Sequence, residues 1–163
     1  MQTISLESAN QTRGVLSNMI KTLAQSPSAL DGYLEFRDAL SGTALSPALC
    51  EQIALVVAQT NLCESSLAEH SHLAALIGLT KEEIQDSREG RSPDGKVEAV
   101  LRFARDVTMR KRQWPLNELR EHGCSDADIV EIIAHVALNN FENYLNRFAR
   151  TGRGRESWLT AAG

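Results

Sequence analysis

Three side chains that could act together chemically lie close in the sequence: Cys63, Ser66 and His70. Their spacing is i, i+3 and i+7, and at about 100° per residue these positions share one narrow face of an α-helix. A thiol, a hydroxyl donor and a titratable base on one face predict a reactive site. Asn61 with Glu64 fits a capping box, which predicts Cys63 in the first helical turn. The unpaired amides and the helix dipole at that place favour a thiolate.

A carboxylate on the preceding helix completes the candidate site. Glu51 has Ala48, Ala54, Leu55 and Ala58 as its helical neighbours, so it is predicted to point inward. A carboxylate among apolar side chains is costly unless it is paired or protonated. We therefore predict that Glu51 pairs with His70, directly or through one water.

Structural roles are the alternative for each residue taken alone. An inward histidine is commonly a satisfied core residue, a buried cysteine is commonly an inert small hydrophobe, and Glu51 could be a structural ion-pair partner. The three together on consecutive helices favour a functional cluster. No metal is predicted, because Cys63 and His70 are two turns apart and the chain has no CxxC or HExxH pattern.

The chain is predicted to be a single all-α domain, residues 1–163, with about seven helices. Helices are expected over about 10–25 and 28–40, after Ser46-Pro47, from Asn61 to Gly78, and from Thr80 to about Ser87. A long amphipathic helix follows the loop-like REGRSPDG segment, a short one begins at Pro115, and the last runs from Ser125 to about Arg150. The last helix carries a polar line of four residues, which either lines a pocket or an interface or is simply a rotated solvent face: His135, Asn139, Glu142 and Asn146.

The composition bounds the function further. The chain has 163 residues, 42% of them hydrophobic and 23% charged, and a net charge of −4, which argues against nucleic acid as the main partner. Basic residues at 110–112 and 147–155 suit solvated helix ends, with a phosphate or subunit contact as the alternative. No run of apolar residues predicts a membrane span, and the N-terminus does not resemble a secretory signal. Three irregularly spaced cysteines favour a reducing cytoplasm, with Cys50 or Cys124 as an open alternative partner for Cys63.

These motifs resemble the alkylhydroperoxidase D-like, or carboxymuconolactone decarboxylase, superfamily over about residues 30–150. The family pattern is a Glu followed by Cys-x-x-Cys-x-x-x-His, which reads here as Glu51, Cys63, Ser66 and His70, with a similar last helix ending at Asn146-Arg147. The resemblance implies an alkylhydroperoxidase D-like helical fold, no cofactor, a small-molecule substrate and a homo-oligomer, with a trimer or hexamer ahead of a dimer.

The chain departs from the peroxidase members at the position of their second cysteine. Their second cysteine attacks the peroxide, and Ser66 stands there, so the motif cannot form an internal disulfide. The resemblance implies a peroxiredoxin-type antioxidant enzyme with a variant Cys-x-x-Ser motif and an external thiol reductant. Cys63 would be the redox-active thiol, His70 the base or proton shuttle, Glu51 the relay carboxylate and Ser66 a hydroxyl donor.

Two alternatives come from other functional classes. A cofactor-free decarboxylase or lyase would use Glu51 and His70 for proton transfer, with Cys63 dispensable. A non-catalytic oligomeric binding or redox-sensing protein would show no turnover but would keep a pocket.

Overall fold

The structure is a computed structural model that describes residues 18–151, without the side chains of residues 18, 150 and 151. All secondary structure in this part is α-helical, which confirms the predicted all-α class. It contains eight helices: α1 Asn18–Leu23, α2 Pro27–Ser41, α3 Pro47–Thr60, α4 Glu64–Leu76, α5 Lys81–Arg88, α6 Gly95–Thr108, α7 Leu116–Glu121 and α8 Asp126–Thr151. The predicted first helix over about 10–25 is observed from Asn18, and residues 10–17 lie outside the described residues.

Local capping signals set most of the helix ends. Ser46 accepts a hydrogen bond from the Leu49 amide, and Pro47 occupies the first position of α3, where its missing N–H costs nothing. Thr80 and Glu83 form both hydrogen bonds of a capping box at the start of α5. A reciprocal pair between Ser125 and Asp128 likewise precedes α8.

Helix α3 lies at the centre of the fold and packs against α4, α5, α6 and α8. Its segment Ile53–Ala58 is almost fully buried, in agreement with its apolar sequence. The main core joins α3 to large side chains of α6, α7 and α8, including Phe103, Leu119 and Ile132. Each such side chain contributes about 1.5–3 kcal/mol through burial. Glu51 therefore lies on the central helix, just before its most buried segment.

A second apolar cluster attaches α1 and α2 to α8. It contains Met19, Ile20, Leu30 and Tyr33 together with Leu138 from α8. This packing brings the Tyr33 ring of α2 against α8, where its centroid lies 6.1 Å from that of the Phe141 ring. No helix within residues 18–151 is long and apolar enough to cross a lipid bilayer.

The predicted start of the cysteine helix is wrong by two residues. Asn61 is not an N-cap, because its backbone N–H bonds back to Val57 and continues the end of α3. Leu62 then adopts a left-handed conformation, with φ of 54°, and reverses the chain. Cys63 becomes the N-cap of α4, without a side-chain capping bond. The thiol therefore lies just before the first turn rather than within it.

Candidate active site

Glu51 and His70 form the predicted pair by direct contact. Helix α3 supplies Glu51 and α4 supplies His70, and the Glu51 Oε2 to His70 Nδ1 distance is 2.9 Å. The two side chains are 22% and 13% exposed, so the pair is mostly shielded from water. A carboxylate on Nδ1 fixes the orientation of the ring and leaves Nε2 to exchange a proton with another group.

The other side of the imidazole faces a second carboxylate. Glu142 of α8 has its Oε2 atom 3.9 Å from His70 Nε2, and Tyr33 donates a 2.7 Å hydrogen bond to Glu142 Oε1. Carboxylates from α3 and α8 thus lie on either side of the His70 ring, which α4 supplies. The sequence indicated Glu142 only as part of the polar line on the last helix, and it gave no signal for Tyr33.

Two opposing influences set the protonation of His70. Burial is the largest single influence and lowers the pKa of His70. The hydrogen bond to Glu51 and the charges of Glu51, Glu142 and Glu69 together outweigh burial, so the pKa lies above its ordinary value of 6.5. The ring therefore keeps a proton to a higher pH than a free histidine and is suited to deliver one.

Cys63 has hydroxyl groups as its neighbours. Its Sγ atom is 3.2 Å from Ser66 Oγ and 3.5 Å from Ser65 Oγ. Asn146 of α8 donates a 3.0 Å hydrogen bond from Nδ2 to Ser66 Oγ. Since that bond occupies an acceptor position of the oxygen, the O–H of Ser66 is available to donate to the sulfur. A hydroxyl donor at this distance stabilises negative charge on Sγ.

Each member of the polar line on α8 has an inward position. Asn139 donates back to the carbonyl of His135, while Glu142 meets His70 and Asn146 meets Ser66. Asn61, wrongly predicted as a helix cap, donates from Nδ2 to Asn140 Oδ1 at 2.8 Å. Of the two readings of this line, the structure therefore favours pocket-facing residues over a rotated solvent face.

The candidate residues line two different cavities. One has a volume of about 350 Å³, and its wall includes Glu51, His70 and Glu142. The other, of about 380 Å³, includes Cys63 and residues at the end of α8. Ser66 contacts Cys63 but belongs to neither wall. The thiol and the acid–base pair are thus open to separate spaces.

A second cysteine, Cys50, lines the cavity that contains His70. Cys50 Sγ is 3.6 Å from His135 Nε2, and Thr43 Oγ1 is 3.4 Å from the same nitrogen. Burial and the charges of Glu51 and Glu131 raise the pKa of Cys50 to about 11, so this thiol stays protonated near neutral pH. Burial also lowers the pKa of His135, although the Glu131 charge opposes it.

The remaining thiol chemistry is limited. Cys124 is buried between α7 and α8, and Cys50, Cys63 and Cys124 are all free thiols. Within residues 18–151, no three His, Cys, Asp or Glu side chains come together in a way that could hold a metal ion.

Comparison with known proteins bears on this arrangement. Residues 27–108, just over half of the chain, match the model of the carboxymuconolactone decarboxylase family. The chain belongs to the carboxymuconolactone decarboxylase family. The matched region spans the Glu51, Cys63, Ser66 and His70 motif and ends with α6, so α8 and its contributions to both cavities lie beyond it. Among curated proteins no significant sequence match is found.

Solved structures of other proteins share the fold of this family member. An uncharacterized peroxidase-related protein from Silicibacter sp. TM1040 has a TM-score of 0.72 at 21% identity, covering 91% of this chain and 78% of its own. A putative antioxidant defence protein AhpD from Agrobacterium tumefaciens, described as of unknown function, has a TM-score of 0.67 at 23% identity, covering 82% and 93%.

An enzyme is also among these structures. A cysteine-to-alanine variant of the debrominase Bmp8, in complex with 2,3,4-tribromopyrrole, has a TM-score of 0.70 at 18% identity, covering 99% of this chain and 94% of its own. At these identities the likeness shows the alkylhydroperoxidase D-like fold of the family.

Proposed function

We propose that the protein is a peroxiredoxin-type enzyme that reduces small-molecule hydroperoxides through Cys63 and an external thiol. The observation that carries this proposal is the hydrogen-bond chain from Asn146 through Ser66 to the Cys63 sulfur, at the wall of a cavity. A hydroxyl donor lowers the cost of negative charge on the sulfur, and only the thiolate form of cysteine is strongly nucleophilic.

The reaction begins with transfer of oxygen to Cys63. The sulfur attacks the terminal oxygen of the hydroperoxide, the O–O bond breaks, and the alkoxide takes the proton that the thiol gave up, leaving as an alcohol. Cys63 is oxidised to a sulfenic acid. One external thiol then forms a mixed disulfide and releases water, and a second releases the oxidised reductant and regenerates Cys63.

The absence of a nearby cysteine supports an external reductant. Ser66 is the nearest hydroxyl to the sulfur, at 3.2 Å, and a hydroxyl cannot form a disulfide. Cys50 lines the other cavity. The reductant must therefore reach Cys63 through its own cavity, in a compartment such as the cytoplasm that supplies reduced thiols.

The comparisons support the same class of chemistry in general terms. Proteins with this fold are described as peroxidase-related or as a putative antioxidant defence protein, and one binds a small brominated ring. A small-molecule substrate and thiol chemistry agree with these descriptions.

Trapping the sulfenic acid tests the proposal. The reduced protein is mixed with one equivalent of cumene hydroperoxide and a sulfenic-acid trap such as dimedone, and the modified cysteine is located by peptide mass mapping. We expect modification at Cys63 and turnover when a dithiol reductant is added. Cys63→Ser should abolish both, whereas the matched substitution Cys50→Ser should preserve them. Equal peroxide consumption by wild type and Cys63→Ser would refute the proposal.

Proton transfer by Glu51 and His70 is the second candidate function. It is favoured by the separate cavity of about 350 Å³, which contains the acid–base pair but not Cys63. There the enzyme would act as a cofactor-free decarboxylase or lyase on a carbonyl acid or lactone. Activity on such a substrate that survives Cys63→Ser but is lost in Glu51→Gln would favour this candidate over peroxide reduction.

A further inference from the structure

Two parts of the chain form the cavity beside Cys63. The turn between α3 and α4 contributes one wall and the last turns of α8 contribute the other, to a volume of about 380 Å³. The residues that line it are Asn61, Leu62, Cys63, Glu64, Asn143, Tyr144 and Arg147. The proposed peroxide chemistry uses Cys63, its hydroxyl donors and Asn146, and it uses none of the α8 residues that line this cavity.

Asn143 on this wall has an unused hydrogen-bond donor. The residue is 4% exposed, and its Nδ2 atom has no hydrogen-bond partner among the residues that the structure describes. The nearby amides of Asn139, Asn140 and Asn146 all donate from Nδ2. A buried N–H group without an acceptor is costly, and a ligand atom that enters the cavity could supply the acceptor.

A cation lies one helical turn from this donor. Arg147 is exposed and forms no ion pair or hydrogen bond with other described side chains, unlike Arg91, Arg102 and Arg120. Arg110 approaches the same wall, since its Nη2 atom donates to the hydroxyl of Tyr144 at 3.4 Å.

Among the residues that the structure describes, Glu64 is the one acidic side chain in the cavity lining, and it already has an interaction of its own. Arg147 lines the cavity, and Arg110 lies just outside the lining on Tyr144, where it adds a second positive charge. Helix α8 is the element that brings the amide and the cation to the same wall, at positions 143 and 147.

We infer that the substrate of the Cys63 cavity is a hydroperoxide that also carries a carboxylate, held by the Asn143 amide and the Arg147 guanidinium. The inference rests on the proposed function for its peroxide part. An amide N–H and a guanidinium both donate to carboxylate oxygens, and charge-assisted hydrogen bonds are about twice as strong as neutral ones. The anchored end fixes one side of the molecule, so that the peroxide group extends toward the Cys63 sulfur on the opposite wall.

A matched pair of peroxides tests the inference. Cumene hydroperoxide is compared with its para-carboxylate derivative and the methyl ester of that derivative, which separates charge from size. The wild type should prefer the carboxylate to the ester in kcat/KM by about tenfold, as one charge-assisted contact implies. Arg147→Gln and Asn143→Leu should each remove most of this preference by lowering kcat/KM for the carboxylate toward the value for the ester. Lys81→Gln, which removes an exposed charge from α5, is the matched control.

A binding measurement keeps the inference separate from the peroxidase activity. Calorimetry with para-isopropylbenzoate and with isopropylbenzene, which lack a peroxide group, reads the anchor alone. Carboxylate binding that weakens about tenfold in Arg147→Gln and not in Lys81→Gln supports the anchor even if no peroxide is turned over, a result that would refute only the proposed function. Equal affinity in wild type and Arg147→Gln, or no preference for the carboxylate, would overturn the inference. Arg147 is exposed, so this variant decides the matter even if Asn143→Leu fails to fold.

Discussion

Replacing Glu51 with glutamine should change both the titration of His70 and the pH dependence of stability. Glu51→Gln keeps the shape of the side chain and removes its charge. In the wild type the hydrogen bond and charge of Glu51 are the main influences that raise the pKa of His70 against the effect of burial. Without them burial is opposed only by Glu142 and Glu69, so we expect the pKa of His70 to fall.

The expected size of the stability change follows from the geometry of the pair. A hydrogen bond to a charged group contributes about 1.5–3 kcal/mol and a neutral one about 0.5–1.5 kcal/mol. The introduced glutamine can still accept from Nδ1, and at 13% and 22% exposure solvent screens the native pair only weakly. The variant should therefore lose the difference between the two kinds of hydrogen bond, about 1–1.5 kcal/mol of unfolding free energy, where His70 is charged.

The sign of the pH dependence is fixed by the direction of the shift. Because the pKa of His70 is raised in the folded state, its stabilisation is fully present below the ordinary value of 6.5 and disappears as the pH rises through the folded value. Urea unfolding should show the lower stability of the variant at about pH 6. At higher pH, where His70 is neutral in both proteins, the variant should differ little from the wild type.

The assay is an NMR titration of the histidine ring carbons, combined with urea unfolding at several pH values. Glu131→Gln is the matched control, since it removes a carboxylate that raises the pKa of His135 and does not contact His70. An unchanged His70 titration in Glu51→Gln, or an equal loss of stability at all pH values, would show that the pairing argument is wrong.

Three further predictions concern the thiols and the assembly. Ser66→Cys should form a peroxide-dependent disulfide with Cys63, since the two side-chain heteroatoms are already 3.2 Å apart, and non-reducing peptide mapping would detect it. A small alkylating reagent at neutral pH should modify Cys63 before Cys50, whose pKa is raised to about 11, and mass mapping after short exposure measures the order. The chain should assemble as a homo-oligomer, a trimer or hexamer, partly through exposed apolar residues such as Leu62 and Leu76, at 74% and 69% exposure; light scattering that gives the mass of one chain at micromolar concentration would contradict this.

Local signals in the sequence predicted the helices well because each depends on few residues. The Ser46-Pro47 start and the Thr80–Glu83 capping box are complete within four positions. The Glu51 to His70 contact was also predictable, because two inward ionisable groups on consecutive helices have few other partners to satisfy them.

Contacts that depend on tertiary structure were not predictable in the same way. Tyr33 and Glu142 are 109 positions apart, and nothing near either residue indicates the other. The start of α4 was misplaced because Leu62 has a φ of 54°, a left-handed conformation that residues other than glycine and asparagine rarely adopt. The capping rules therefore favoured Asn61 as the N-cap. Separation of the thiol and the imidazole into two cavities follows from where α8 crosses α4, which the sequence does not encode locally.

The packing of α8 against α4 explains how the residue type at position 66 determines the chemistry that is available to Cys63. Ser66 contacts Asn146, and His70, one turn later on α4, contacts Glu142, one turn earlier on α8. The two helices therefore run antiparallel in this region. A thiol at position 66 would face the Cys63 sulfur and could form a disulfide with it. The Ser66 hydroxyl instead accepts a hydrogen bond from Asn146, which leaves its O–H free to donate to the Cys63 sulfur 3.2 Å away. Under the proposed peroxide chemistry, Ser66 would give Cys63 a hydrogen-bond donor in place of an internal disulfide partner, and the reductant would be a thiol from outside the chain.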